Sequence, residues 1–205
     1  MLASRRRAQL SASSSRLIAK LLTEGFAPAP VAGLLLLIVA WHSAASLTDA
    51  LLWGVISVVC AAVIPMAYIL RGVRRRRLTD RHVHLRQQRP LPLLVGVTSV
   101  LAGIALLTFG HAPRELVALV VAMGVGLSSS LLVTLRWKIS IHVAVVAGAV
   151  VILILVFGPT WLVLVPVVAA VGWARVILGD HTPAQSAAGC ILGATVAAAV
   201  FSALR

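Results

Sequence analysis

Long apolar runs dominate the chain from Val31 onward, and each is broken by a short cluster of basic, proline or histidine residues. A run of roughly 17 to 25 apolar residues is enough to cross a bilayer as a helix. The pattern predicts about seven such runs, at residues 29–47, 50–70, 91–110, 115–135, 141–158, 160–178 and 184–203. Lipid offers no partners to exposed backbone groups, and the period-two alternation of a membrane barrel is missing, so the runs are expected to be helices. The predicted class is therefore all-α, a polytopic transmembrane bundle covering residues 29–205, with no separate soluble domain. Residues 1–28 read differently. They form a basic amino-terminal segment with a short helix expected around Ser13 to Glu24, lying at the interface with Leu17, Ile18, Leu21 and Leu22 toward lipid and ended by Gly25. The first apolar run begins too late and is too long for a cleaved leader.

Composition agrees with the pattern. Hydrophobic residues make up 60% of the 205, and the mean hydropathy is +1.05, more than a soluble core of this size can bury. The net charge of +13 adds an orientation. With seven spans, only Arg114 and Arg205 of the 18 Lys and Arg residues fall on one face, and the rest share the other. Basic residues close to span ends mark the cytoplasmic side, and Arg5 to Arg7, Arg16, Lys20, Arg71 and Arg74 to Arg77 supply that bias. The expectation is a multi-pass cell-membrane protein with its amino terminus and polar loops in the cytoplasm. The basic excess is assigned to anionic lipid headgroups and not to nucleic acid, Arg74 to Arg77 being worth about 1 kcal/mol each at such a surface. Cys60 and Cys190 lie inside predicted spans and read as small packing residues. The sequence assigns no oligomeric state.

Three polar segments remain: Arg81 to Pro90, Lys138 to His142 and Arg175 to Gln185. They hold His82, His84, His142 and His181, four of the six histidines, whereas His42 and His111 fall on the opposite face. Each segment precedes a helix that starts on the cytoplasmic side. Helix amino termini carry partial positive charge and unpaired N–H groups, so three of them at one level attract anions. Arg81, Arg86, Arg89 and Arg175 add fork-shaped donors suited to phosphoryl oxygens. Several residues have plainer readings as well. His82 and His84 beside Asp80 lack the further ligands a metal site needs. Lys138, next to Trp137, fits an interfacial anchor as well as a phosphate ligand, and Arg175 could complement the end of its own helix. Thr182-Pro183-Ala184-Gln185 has the form of a capping box, with Gln185 reaching back to the Thr182 N–H.

The residues of these segments resemble the signatures of the type 2 phosphatidic acid phosphatase superfamily. Arg175, His181 and Gln185 look like the third signature, S-R-x5-H-x3-D. Ser140-Ile141-His142 looks like the second, P-S-G-H, and Arg89-Pro90 ends a partial match to the first, K-x6-R-P. The position expected to hold the lysine is His82, with Arg81 and Arg86 as substitutes. The likeness runs from about Arg71 to the carboxyl terminus and implies a six-helix phosphatase core, here with one extra span. It implies His181 as nucleophile, forming a phosphohistidine, and His142 as general acid. It further implies Arg89 and Arg175 as phosphoryl clamps, helped by Arg86 or Arg81 and by the Ser140 hydroxyl, with no metal or cofactor. Gln185 would orient His181 in place of the family's aspartate. The implied activity is hydrolysis of the terminal phosphate or diphosphate of a phospholipid or polyprenyl phosphate held in the bilayer. Ala174, Ile139, Ile141 and Gln185 depart from the family pattern. They motivate the alternative of a weakly active or inactive relative that binds or transports lipid phosphates.

Overall fold

A computed structural model describes residues 13–205 with their side chains, preceded by helical backbone from Leu2. The side chains of Arg5 to Arg7 lie outside that range. Among the described residues the chain is helical, with no strand. The helices are α1 (Leu2–Gly25), α2 (Pro28–Ser43), α3 (Leu47–Val58), α4 (Ile64–Arg74), α5 (Pro90–Phe109), α6 (Arg114–Arg136), α7 (Ile141–Phe157), α8 (Val165–Ile177), α9 (Pro183–Val196) and α10 (Ser202–Leu204). A π-turn at Val59–Val63 joins α3 to α4, and another at Ala197–Phe201 joins α9 to α10, so each pair forms one continuous rod. Pro65 lacks the N–H that would bond one turn back, which accounts for the first widened turn. The Cys60 carbonyl in that turn accepts a 2.6 Å hydrogen bond from the Ser99 hydroxyl on α5.

Five helical stretches among the described residues are long and apolar enough to cross a membrane: Leu47–Arg74, Arg86–Phe109, Arg114–Arg136, Pro159–Ile177 and Pro183–Leu204. A sixth is added if Ser13–Gly25 and Pro28–Ser43, bent by 45°, count as one span. The apolar helix α7 has only 17 residues, below the length that the others reach. Seven separate spans are thus not what length and composition alone give.

Burial explains why α7 differs. Its side chains from His142 to Leu153 are buried on most faces, and it packs against α2, α8 and α9. A helix that is apolar all round is one surrounded by protein or lipid on every side. The core around it includes Leu36, Val39, Val100, Leu119, Ile152 and Phe201. The outer helices leave Leu34, Leu51, Leu101, Phe109, Leu132 and Ile191 exposed. Exposed apolar surface of this extent suits contact with lipid tails.

Two contacts matter most for the site. On α9, a Cβ added at Gly189 would collide with the Ser140 carbonyl oxygen, and one at Gly193 with the Ala144 carbonyl. The small-xxx-small spacing therefore lets the backbones of α7 and α9 touch. That contact holds the amino termini of the two helices level, and Ser140 N–H bonds to Gln185 O at 3.2 Å. Helix α1 packs on α8, burying Ala19 and Thr23 while Leu17, Ile18 and Leu21 stay exposed.

Candidate functional site

The third polar segment is shaped by a helix stop followed at once by a helix start. Gly179, at φ +75°, ends α8 in a Schellman turn, with Asp180 N–H bonded to Arg175 O at 3.1 Å and Gly179 N–H to Val176 O at 3.0 Å. Thr182 then caps α9: its hydroxyl accepts from Gln185 N–H at 3.3 Å, and Gln185 Oε1 accepts from Thr182 N–H at 3.3 Å. Asp180 and His181 occupy the turn between them. The same Gln185 Oε1 lies 3.1 Å from His181 Nδ1. Capping and contact with the histidine therefore coincide in one oxygen. Burial, then the charges of Arg89, Lys138 and Arg175, push His181 down to about 3 from an ordinary 6.5, which leaves the ring neutral. A neutral imidazole whose Nδ1 donates to Gln185 presents Nε2 as its lone-pair nitrogen.

The first segment wraps around a carboxylate. Asp80 accepts from His82 N–H at 2.8 Å, from His84 N–H at 3.2 Å and from His84 Nδ1 at 2.7 Å. These bonds hold Val83 at φ +48°, an uncommon conformation for a β-branched residue, and aim its carbonyl at Arg89. Arg89, 4% exposed, donates from Nε to Val83 O at 2.8 Å and from Nη1 to Ile139 O at 2.9 Å. It thereby ties the first segment to the second. Ser140 is the buried residue preceding α7, and His142 sits in the first turn of that helix, its ring 5.2 Å from that of His82.

Four buried polar atoms on three residues of these segments have no hydrogen-bond partner among the described residues: Ser140 Oγ, His142 Nε2, and Arg175 Nε and Nη1. Arg175 is 1% exposed, and its Nη1 lies 2.9 Å from Asp180 Oδ2 at an angle outside hydrogen-bond geometry. The pair still attracts, since charge attraction depends on distance more than angle. Buried polar groups without partners are rare, because each carries a desolvation cost. An anion is the kind of partner that a guanidinium, a hydroxyl and an imidazole N–H can all donate to.

A cavity of about 560 Å³ opens at this point. Its polar end is lined by Arg81, His82, Arg89, His142 and His181, and its apolar depth by Leu35, Val100, Leu119 and Ile152. Ser140, Arg175 and Lys138 do not line it, yet the charges of Arg175 and Lys138 act on His181. Lys138 Nζ donates to Asp180 O, and burial, then the Arg89 charge, lowers its affinity for the proton.

Other sequence-predicted residues are engaged elsewhere. Arg86 donates to Thr134 O at 3.2 Å and Leu135 O at 2.7 Å, satisfying carbonyls in the last turn of α6 away from the cavity. Arg81 pairs with Glu24 at the rim, and His82 Nε2 lies 3.1 Å from the same carboxylate. Asp180 and Glu24 were not singled out by sequence reasoning. The position of Asp180 beside His181 was its one sequence signal. Among the described residues no group of three His, Cys, Asp or Glu side chains is arranged to hold a metal ion. No protein-family model, curated protein or solved structure matches this chain.

Proposed function

We propose that this chain is a membrane-embedded phosphatase that removes the terminal phosphate of a lipid phosphate through a phosphohistidine on His181. The observation that carries the reading is the gathering of His181, His142 and Arg89 at the polar end of an otherwise apolar cavity, with unpartnered buried polar atoms on His142 and on Ser140 and Arg175 of the same segments. A phosphate head and an apolar tail match those two ends. Seven passes, with the polar segments on the cytoplasmic face, fit the reading: α7, although short, sits wrapped by its neighbours and needs no lipid-facing length of its own.

The chemistry assigned to each residue follows from its surroundings. Arg89, Arg175 and the Ser140 hydroxyl hold the phosphoryl oxygens, fixing the group for in-line attack. His181 Nε2 forms the bond to phosphorus as the bond to the lipid oxygen breaks, and His142 gives that oxygen its proton. Gln185 Oε1 keeps the His181 proton on Nδ1 during the attack. Water then cleaves the P–N bond, releasing inorganic phosphate and returning a proton to His142. Arg81 and His82, at the cavity rim, meet the incoming anion in competition with Glu24.

The test is phosphate release by the purified full-length chain in mixed micelles, against phosphatidate, phosphatidylglycerophosphate and polyprenyl mono- and diphosphates. Release from one or more is expected, and no release from any would overturn the reading. Gln185 in place of a carboxylate favours one rival, a binder of lipid phosphates. That rival is told apart by saturable binding without turnover.

A further inference from the structure

All three polar segments meet at Asp180. Its Oδ1 lies 2.9 Å from His84 Nε2 of the first segment. Its carbonyl oxygen accepts from Lys138 Nζ of the second. Its Oδ2 lies 2.9 Å from Arg175 Nη1 of the third. His84 is itself held on its other side by Asp80, 2.7 Å from Nδ1. The result is an unbroken polar chain, Asp80–His84–Asp180–Arg175, running from a surface loop to a guanidinium that is almost wholly buried. The Asp80 contact of His84 is a hydrogen bond, and the Asp180 contact is a close approach of ring nitrogen to carboxylate oxygen.

We infer that Asp180 is a positioning residue, and that with His84 it sets the orientation of Arg175 at the phosphate site. Arg175 comes from the last turn of α8, and Asp180 is the only acidic side chain paired with it among the described residues. Asp180 occupies a turn whose backbone is fixed by the Schellman bonds to the Arg175 carbonyl. Its carboxylate is thus a rigid reference point. His84 Nε2 sits against the carboxylate oxygen that Arg175 does not use, which restricts rotation of the side chain. A carboxylate free to swing would both misdirect the guanidinium and cancel more of the charge meant for phosphate. Neither Asp180 nor His84 lines the cavity.

The inference rests on the phosphatase reading for its rate readout and on a double-mutant cycle for the node itself. The variants are Asp180→Asn, His84→Gln and the pair together, each in the full-length chain. Misplacement of a clamp can cost up to about 100-fold in rate. Each single variant is expected to lower kcat by about 10- to 100-fold while KM changes little, and the double variant should be no slower than the slower single. His84 is partly exposed, so His84→Gln alone carries the test if Asp180→Asn fails to fold. Wild-type kcat in both singles, effects that multiply in the double, or a loss confined to KM would overturn the inference. If the wild-type chain releases no phosphate, the phosphatase reading fails separately. The node is then judged on melting temperatures of the same variants, where non-additive losses support it and additive losses overturn it.

Discussion

Gln185 shows how much a single side chain can be asked to do. One oxygen serves the Thr182 N–H and the His181 ring, so removing it affects helix and histidine together. Gln185→Leu is expected to cost about 0.5 to 2 kcal/mol of stability and also to slow single-turnover phosphorylation of His181 substantially. Gln185→Asp should keep or raise that rate, because a carboxylate better balances the positive charge the ring gains. An unchanged rate in Gln185→Leu with a lowered melting temperature would limit the residue to capping. His181 also gives a pH dependence. Its folded value of about 3 lies below its ordinary 6.5, so the unfolded chain takes up a proton first as pH falls. Stability assigned to the neutral ring is therefore whole above about 6.5 and is lost progressively down to about 3. Melting temperature measured across that range should fall less steeply for His181→Asn than for wild type. The one-turn spacing of residues 181 and 185 was legible in the chain, as was the capping box. The role of Asp180 was not, because it depends on a loop 96 residues earlier in the numbering, around His84, folding onto it. The neighbours of Arg86 in sequence make it a candidate phosphate ligand, and the direction of its side chain, toward the end of α6, is a property of the folded chain alone.

At the scale of elements, the close approach of α7 and α9 levels the two histidine-bearing ends. Gly193→Ala sets a methyl against the Ala144 carbonyl, a backbone atom that cannot rotate away. Overpacking of this kind typically costs about 1 to 3 kcal/mol. Gly193→Ala is expected to lower the melting temperature and the rate together, whereas Gly172→Ala, with nothing within 4 Å of the added methyl, should leave both near wild type. A Gly193→Ala protein as stable and active as wild type would show that the helix contact does not position the site. Hydropathy runs made most helix positions legible, since α5, α6 and the rod from α9 through α10 begin and end close to the predicted boundaries. The backbone start of α1 at Leu2 was not legible, because polar Ser and Arg residues carry no apolar period there. Nor was the reach of α4 to Arg74, since a helix can extend past the bilayer edge on basic residues that favour its carboxyl end. The π-turns were equally hidden; Pro65 accounts for the first, and the second has no cause that the hydropathy pattern carries.

For the whole molecule, the all-helical class was legible from composition, and five or six helical stretches among the described residues are long and apolar enough to cross a membrane. The number of crossings is less legible, because the first apolar pair is bent and α7 is short. Orientation rests on the charge asymmetry and is open to a direct test after replacement of Cys60 and Cys190. A cysteine introduced among Arg74 to Arg77 should be shielded from a membrane-impermeant thiol reagent in intact cells, while one beside His111 should label. The reverse pattern would put the polar segments outside. The central claim, that His181 carries the phosphoryl group, is tested most directly by acid-free quenching of the full-length protein during turnover of a radiolabelled lipid phosphate. The account expects a base-stable, acid-labile phosphoprotein in wild type that is absent, together with phosphate release, in His181→Ala. Phosphate release by His181→Ala at the wild-type rate would contradict it.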